Sequence, residues 1–189
     1  MQLSGLQDRQ MVKKIQQDDN HMLLVKNGML NKEFPSDYRQ IRYFTLMIAQ
    51  KAPPGIKEVN LLEQQISELI KNAVKHGNKS DPNKRIKVWY SFSSLNARII
   101  IEDEGKGFKR IDDWNSFNSH RQKCLLDEDF EKLAEYVAYR TSESDDNDGG
   151  NALFAATEYW DEGVVFNRKG NTVAVGKRFP KKRPGIEIA

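Results

Sequence analysis

The sequence predicts an α+β fold, a two-layer sandwich whose sheet is mostly antiparallel. It does so from two hairpin patterns of alternating apolar residues, an isolated apolar run that reads as a further strand, and two long segments of helical spacing able to cover one sheet face. Residues 1–20 form a polar lead-in, with helical spacing from about Leu6 to Ile15, and Met22-Leu23-Leu24-Val25 then reads as the first strand. Pro35-Ser36-Asp37 starts a helix that carries Tyr38, Ile41, Phe44, Thr45 and Ile48 at helical spacing, and Ala52-Pro53-Pro54-Gly55 ends it. A second helix is expected from about Glu58 to His76, closed by Gly77.

The alternation of Ile86, Val88, Tyr90 and Phe92, then of Leu95, Ala97, Ile99 and Ile101, predicts a hairpin joined at Ser93-Ser94. From Ile111 to Asp148 the pattern changes to a polar start, an amphipathic helix around Glu128 to Arg140, and an acidic run of Glu143, Asp145, Asp146 and Asp148 leading to Gly149-Gly150. A mobile lid is expected there. Asn151 to Tyr159 reads as a short helix, and Val164-Val165-Phe166 pairs with Thr172 to Val175 across Arg168-Lys169-Gly170-Asn171. The organisation expected is an extension over 1–20, one domain over 21–180 with an insertion at about 109–149, and a basic tail over 181–189.

At 189 residues there is room for one domain with a substantial core but little room for two. The 30 basic and 27 acidic residues nearly cancel, at +3, which argues against a dedicated nucleic-acid binder. Lys84-Arg85 with Lys87, and Lys177-Arg178 with Lys181-Lys182-Arg183, read as solvated surface. The single cysteine, Cys124, excludes an intrachain disulfide and any multi-cysteine metal site. Neither a signal peptide nor a membrane-spanning stretch is legible, so the cytoplasm is the expected location.

Placed on a wheel at about 100° per residue, the second helix divides into faces. Val59, Leu62, Ile66, Leu69, Ile70 and Ala73 form an apolar stripe, while Gln65, Glu68, Asn72 and Lys75 gather beside it, Glu68 and Asn72 one turn apart. A carboxylate and an amide oxygen are hard ligands of the kind magnesium takes when phosphates and water supply the rest. By themselves they are better explained as polar residues on a solvated face. In Glu102-Asp103-Glu104-Gly105-Lys106-Gly107-Phe108, Asp103 stands at a strand end before two glycines. Its carboxylate can accept from an exocyclic amine such as that of adenine while the glycines let a flat ring approach the backbone, although an acidic hairpin turn has the same composition. Gly149 and Gly150 precede a helix, where free N–H groups favour phosphate, but the neighbouring carboxylates oppose a bare anion site.

The order of these pieces resembles a known superfamily. Glu68-Leu69-Ile70-Lys71-Asn72-Ala73-Val74-Lys75-His76-Gly77-Asn78 resembles the N box of the GHKL ATPases, which include gyrase, the histidine kinases and the bacterial anti-sigma factor kinases. Asp103-Glu104-Gly105-Lys106-Gly107-Phe108 resembles their first glycine box, and Gly150-Asn151-Ala152-Leu153 looks like a degraded second one, with Ala152 where the family has glycine. The resemblance covers roughly 22–179 and implies a Bergerat-type ATP-binding fold with ATP and Mg2+ as cofactors. It further implies Asn72 as the magnesium ligand, Glu68 as general base, Lys75 as a phosphate contact, Asp103 as the acceptor for the adenine amino group, and Gly105 and Gly107 as shapers of the pocket. Gly149 and Gly150 complete the expected cofactor contacts. His76 is read as a packing or capping residue.

A stand-alone domain with Glu68 heading the N box looks most like the anti-sigma factor serine/threonine kinases. The implied function is ATP-dependent phosphorylation of an anti-sigma factor antagonist, with a sigma factor as the second partner; the resemblance also suggests a homodimer. Ala152 and the long insertion keep open an alternative, a nucleotide-gated protein-binding module that transfers no phosphate.

Overall fold

The structure, a computed structural model, describes residues 13–140 and 151–180. The acidic run, Gly149, Gly150, the basic tail and most of the helix expected over 6–15 lie outside the described residues.

The fold is an α+β sandwich. Six strands, β1 (Ile15–Gln17), β2 (Leu30–Pro35), β3 (Arg85–Phe92), β4 (Asn96–Glu102), β5 (Gly163–Phe166) and β6 (Thr172–Arg178), lie in the order β1-β5-β6-β4-β3-β2. All pairs are antiparallel except β1 with β5. The register sets Val88 opposite Ile101, Tyr90 opposite Ile99 and Val175 opposite Ile99 on the other side, so a single sheet face collects the apolar residues of three adjoining strands. Helices α1 (Ile41–Ala49) and α2 (Val59–Asn72) cover that face. Leu62, Ile66 and Ile70 of α2 have no exposed surface, and burying a side chain of this size contributes about 1.5–3 kcal/mol. Val59, expected in the same stripe, is 42% exposed because it sits at the helix start, beyond the sheet.

Met22–Leu24 is a short 3-10 helix rather than the expected first strand. The run has no alternation to commit it to a sheet. His21 caps it through a hydrogen bond accepted by Nδ1 from Leu23 N at 3.2 Å, and Leu23 packs on Ile100, Val165 and Ala174 on the opposite sheet face from the helices. Arg98 of β4 fixes the segment by donating through one guanidinium nitrogen to the carbonyls of Met22, Leu23 and Val25 at 3.0, 3.2 and 2.9 Å. The true second strand, Leu30–Pro35, escaped the pattern because Phe34 is its single buried residue, as befits a sheet edge. Ile15–Gln17, which the sequence placed at the end of a helix, is the other edge.

The insertion differs most. Its polar start is a 16-residue helix, α3 (Ile111–Leu126), that buries Ile111, Trp114, Asn118 and Cys124, with Trp114 fully enclosed. The amphipathic helix expected over 128–140 shrinks to α4 (Phe130–Leu133) and one 3-10 turn at Ala134–Tyr136, without a buried residue in either. Apolar spacing in α3 is sparse, and its anchoring depends on one large indole and two asparagines that periodicity does not weigh. Asn115 accepts from Ile15 N at 2.9 Å and donates to Ile15 O at 2.8 Å, while Asn118 donates to Lys13 O at 3.0 Å. Its side chains thus serve the outer edge of β1 as another strand would. The last helix, α5 (Ala152–Tyr159), follows the expectation over 151–159.

Candidate functional site

The C-terminal end of α2 departs from α-helical geometry. Ala73–Gly77 form a π-helical turn, and Asn78 N donates to Ala73 O at 2.8 Å. Of the residues on this turn, His76 shares a cavity lining with Glu68 and Asn72, and Lys75 does not. Asn78 has no exposed surface; it donates through Nδ2 to Arg85 O at 2.9 Å and accepts at Oδ1 from Glu104 N at 2.7 Å. One side chain therefore ties the end of α2 to the start of β3 and to the turn after β4.

That turn delivers Asp103. Its N–H donates to Asn171 O at 3.0 Å, its carbonyl accepts from Asn171 Nδ2 at 2.7 Å, and its Oδ1 accepts from Gly105 N at 2.8 Å. Among the described residues no hydrogen bond reaches Oδ2. Burial pushes the carboxyl above the usual carboxylate range, against the lowering effects of the Gly105 N–H and, more weakly, of Lys169 and Lys84. The carboxylate is packed against backbone: a methyl group on Gly77 would stand 2.5 and 2.7 Å from its two oxygens, and one on Gly105 would stand 2.7 Å from the Gly77 carbonyl carbon. Only glycine at both positions permits this approach.

Glu68, Asn72, Asp103 and Gly107 line one cavity of about 550 Å³. From α2 and the π-turn it takes Gln65, Glu68, Leu69, Asn72, Ala73, His76 and Gly77; from the sheet, Ile101, Val164, Phe166 and Val173; from α5, Ala152, Leu153 and Ala156. Gly107, Phe108, Gly170 and Asn171 line it where the turn after β4 meets the β5–β6 turn, Phe108 N donating to Gly170 O at 2.8 Å. The result is an apolar floor with a half-buried carboxylate at one place, an acid and an amide at another, and Lys71, Lys79 and His76 as basic lining groups. Glu68 forms an ion pair with Lys71 at 3.6 Å, both side chains partly exposed.

The other sequence-derived candidates have different positions. Gly105 lies behind Asp103, packed on Gly77, and Lys75 is outside the cavity lining. Gly149 and Gly150 fall outside the described residues. Sequence reasoning missed Asn171, which it read as a turn residue, and Tyr139, which it placed in a lid helix. It also missed Lys71, Lys79 and His76 as lining groups. Nothing in a periodic pattern marks His76 or Asn171, which reach the cavity from the π-turn and the β5–β6 turn. A second cavity of about 790 Å³ lies among Pro53, Pro54, Ile56, Leu95 and Phe179, with Lys57, Glu58 and Ser94 as its polar lining.

The residues present fit a magnesium nucleotide. Oδ2 of Asp103 is open to an amine, the floor suits a flat ring, and Glu68 with Asn72 supplies hard oxygen donors. Among the described residues no group of three or more His, Cys, Asp and Glu is placed to hold a metal alone, so a cation here would draw most ligands from phosphate and water.

No family model matches the chain. Over 60 residues it is 30% identical to the anti-sigma F factor of Shouchella clausii (strain KSM-K16), a match spanning 32% of this chain and 41% of that protein. The chain is thus distantly similar to an anti-sigma factor. No helix among the described residues is long and apolar enough to cross a membrane.

Proposed function

We propose that this chain is an ATP-binding protein kinase of the anti-sigma factor type, phosphorylating a serine or threonine of a small antagonist protein. A single observation carries the reading. Asp103, half-buried and with one oxygen occupied by Gly105 N, lines the same 550 Å³ cavity as the Glu68 and Asn72 pair. That volume lies in the range of small-ligand sites, and a carboxylate able to accept from a base together with an oxygen-donor pair in one cavity offers the kinds of partner that a nucleotide's base and phosphates would use. The distant similarity to an anti-sigma F factor supports the same direction.

In this scheme Asp103 Oδ2 accepts from the adenine amino group and fixes the base. Asn72 donates its amide oxygen to magnesium, whose role when bound is to neutralise phosphate charge. Glu68 takes the proton of the attacking hydroxyl as its oxygen bonds to the γ-phosphorus and the bond to the bridging oxygen breaks, leaving ADP and a phosphoprotein. Lys71 holds Glu68 in place until the hydroxyl arrives.

Incubation with γ-labelled ATP and the antagonist captured from the same cells tests this. Label should pass to the antagonist, and Glu68→Gln should abolish transfer while sparing ATP binding. Persistent transfer in that variant sinks the assignment of the base. The alternative, a nucleotide-gated binding module, is favoured by Ala152 in the cavity lining where the resembled motif has glycine; it requires ATP-dependent capture of a partner with no label transferred.

A further inference from the structure

One polar side chain of the cavity has no part in the scheme above. Gln65 stands on α2 one turn before Glu68 and two turns before Asn72, so the three share a face of the helix, and all three line the cavity. Gln65 is 5% exposed, whereas the Glu68 side chain one turn away is 37% exposed. Among the described residues the Gln65 carboxamide has no hydrogen-bond partner. It is nevertheless not one of the unpartnered groups sealed off from solvent, so its polar atoms keep open surface where the residue meets the cavity. Buried amides are ordinarily paired, and one left open on a ligand-sized space is served by whatever fills that space. A ligand that displaces water there must replace its hydrogen bonds or lose affinity.

Order along the helix decides which part of a nucleotide arrives at Gln65. Gly77, at the end of the π-turn, packs on the Asp103 carboxylate, and Asn72, Glu68 and Gln65 follow in turn toward the start of α2. A base held at Asp103 and a magnesium held at Asn72 run the phosphates toward Glu68. Glu68 must reach the hydroxyl that attacks the γ-phosphorus, and Gln65, one turn away with a side chain of the same length, reaches the same end. Depth favours the nucleotide over the protein substrate as its partner, since a segment entering from solvent meets the more exposed Glu68 and Lys71 before the enclosed Gln65.

We propose that Gln65 contacts the nucleotide and distinguishes a triphosphate from a diphosphate, its Nε2 donating a hydrogen bond to an oxygen of the terminal phosphate. The proposal rests on the nucleotide reading of the site. A neutral donor suits this place, because it serves a phosphate oxygen without forming an ion pair with Glu68 that would take the base out of use.

Gln65→Leu removes the amide and keeps a side chain of similar size. Calorimetric titration of wild type and variant with Mg-ADP and with the magnesium complex of the β,γ-imido analogue of ATP reads the contact. Affinity for the analogue should weaken about 2- to 10-fold while affinity for ADP holds. Gln65→Met, which keeps the unbranched shape, should give the same pattern. The ligand-free melting temperature should not fall, because the amide has no protein partner to lose. Equal affinities for the analogue in wild type and both variants overturn the contact, as does an equal loss toward ADP and the analogue. Wild type that binds neither nucleotide overturns the nucleotide reading itself, and this contact with it.

Discussion

At the scale of the residue, Asp103 shows a cost and a use of the same atom. Its folded-state pKa is raised by burial, so the folded protein holds the proton more tightly than the unfolded chain does. The stabilising contribution is therefore complete below the unfolded pKa of about 3.9 and is lost as pH rises through the higher folded value. At neutral pH the ionised group works against folding. Asp103→Asn removes that penalty and keeps Oδ1 on Gly105 N, but its Nδ2 then points a donor at the amine the carboxylate would have accepted. The ligand-free variant is expected to melt at or above the wild-type temperature at pH 7, whereas adenine nucleotide affinity should fall by at least roughly tenfold, since a buried donor facing a donor forfeits a charge-assisted hydrogen bond. Thermal melts paired with nucleotide titration check both halves. A variant that melted lower and bound equally would make Asp103 a structural residue.

At the scale of the element, what was legible in the sequence follows from how much of each element's burial is periodic. The hairpin of β3 and β4 and the stripe of α2 were readable because Val88, Tyr90, Ile99 and Ile101, or Leu62, Ile66 and Ile70, repeat at the spacing of one buried face. Glu68, Asn72 and Asp103 were readable as residue types next to those patterns. The edges were not: β2 buries one side chain and β1 has three residues, so neither contains a period. The π-turn was hidden too, which is why Lys75 was counted on the face where His76 lies. Helix α3 owes its place to Trp114, which packs on Phe154, and to Asn115, whose bonds to Ile15 bridge residues 100 positions apart. Asn115→Ala should remove two hydrogen bonds from β1, destabilising by about 1–3 kcal/mol. For a domain of this size that lowers the melting temperature by roughly 2–12 °C. Faster amide exchange at Ile15, with β3 and β4 unaffected, would place the damage at the β1 edge; uniform acceleration would show instead that α3 supports the whole sheet.

At the scale of the whole molecule, the cavity joins segments that are far apart in the chain: α2 and its π-turn, the turn after β4, the β5–β6 turn, α5 and Tyr139. A ligand that fills it contacts all of them in the folded state and none of them in the unfolded one, so binding must stabilise the fold by mass action. At a hundredfold excess over the dissociation constant the gain is about 2.7 kcal/mol, or roughly 5–11 °C for a domain of this length. Mg-ATP is expected to produce a shift of that order. Asn72→Ala separates the metal from the base: the variant should retain the fold and much of the response to ADP without magnesium, because Asp103 and the apolar floor are untouched, but lose the further shift that magnesium adds. The four melts, wild type and variant with each ligand form, decide the point. If the magnesium increment survives in Asn72→Ala, the amide is not a ligand, and Glu68 would then be the oxygen donor nearest the cation, which would remove it from the role of general base as well.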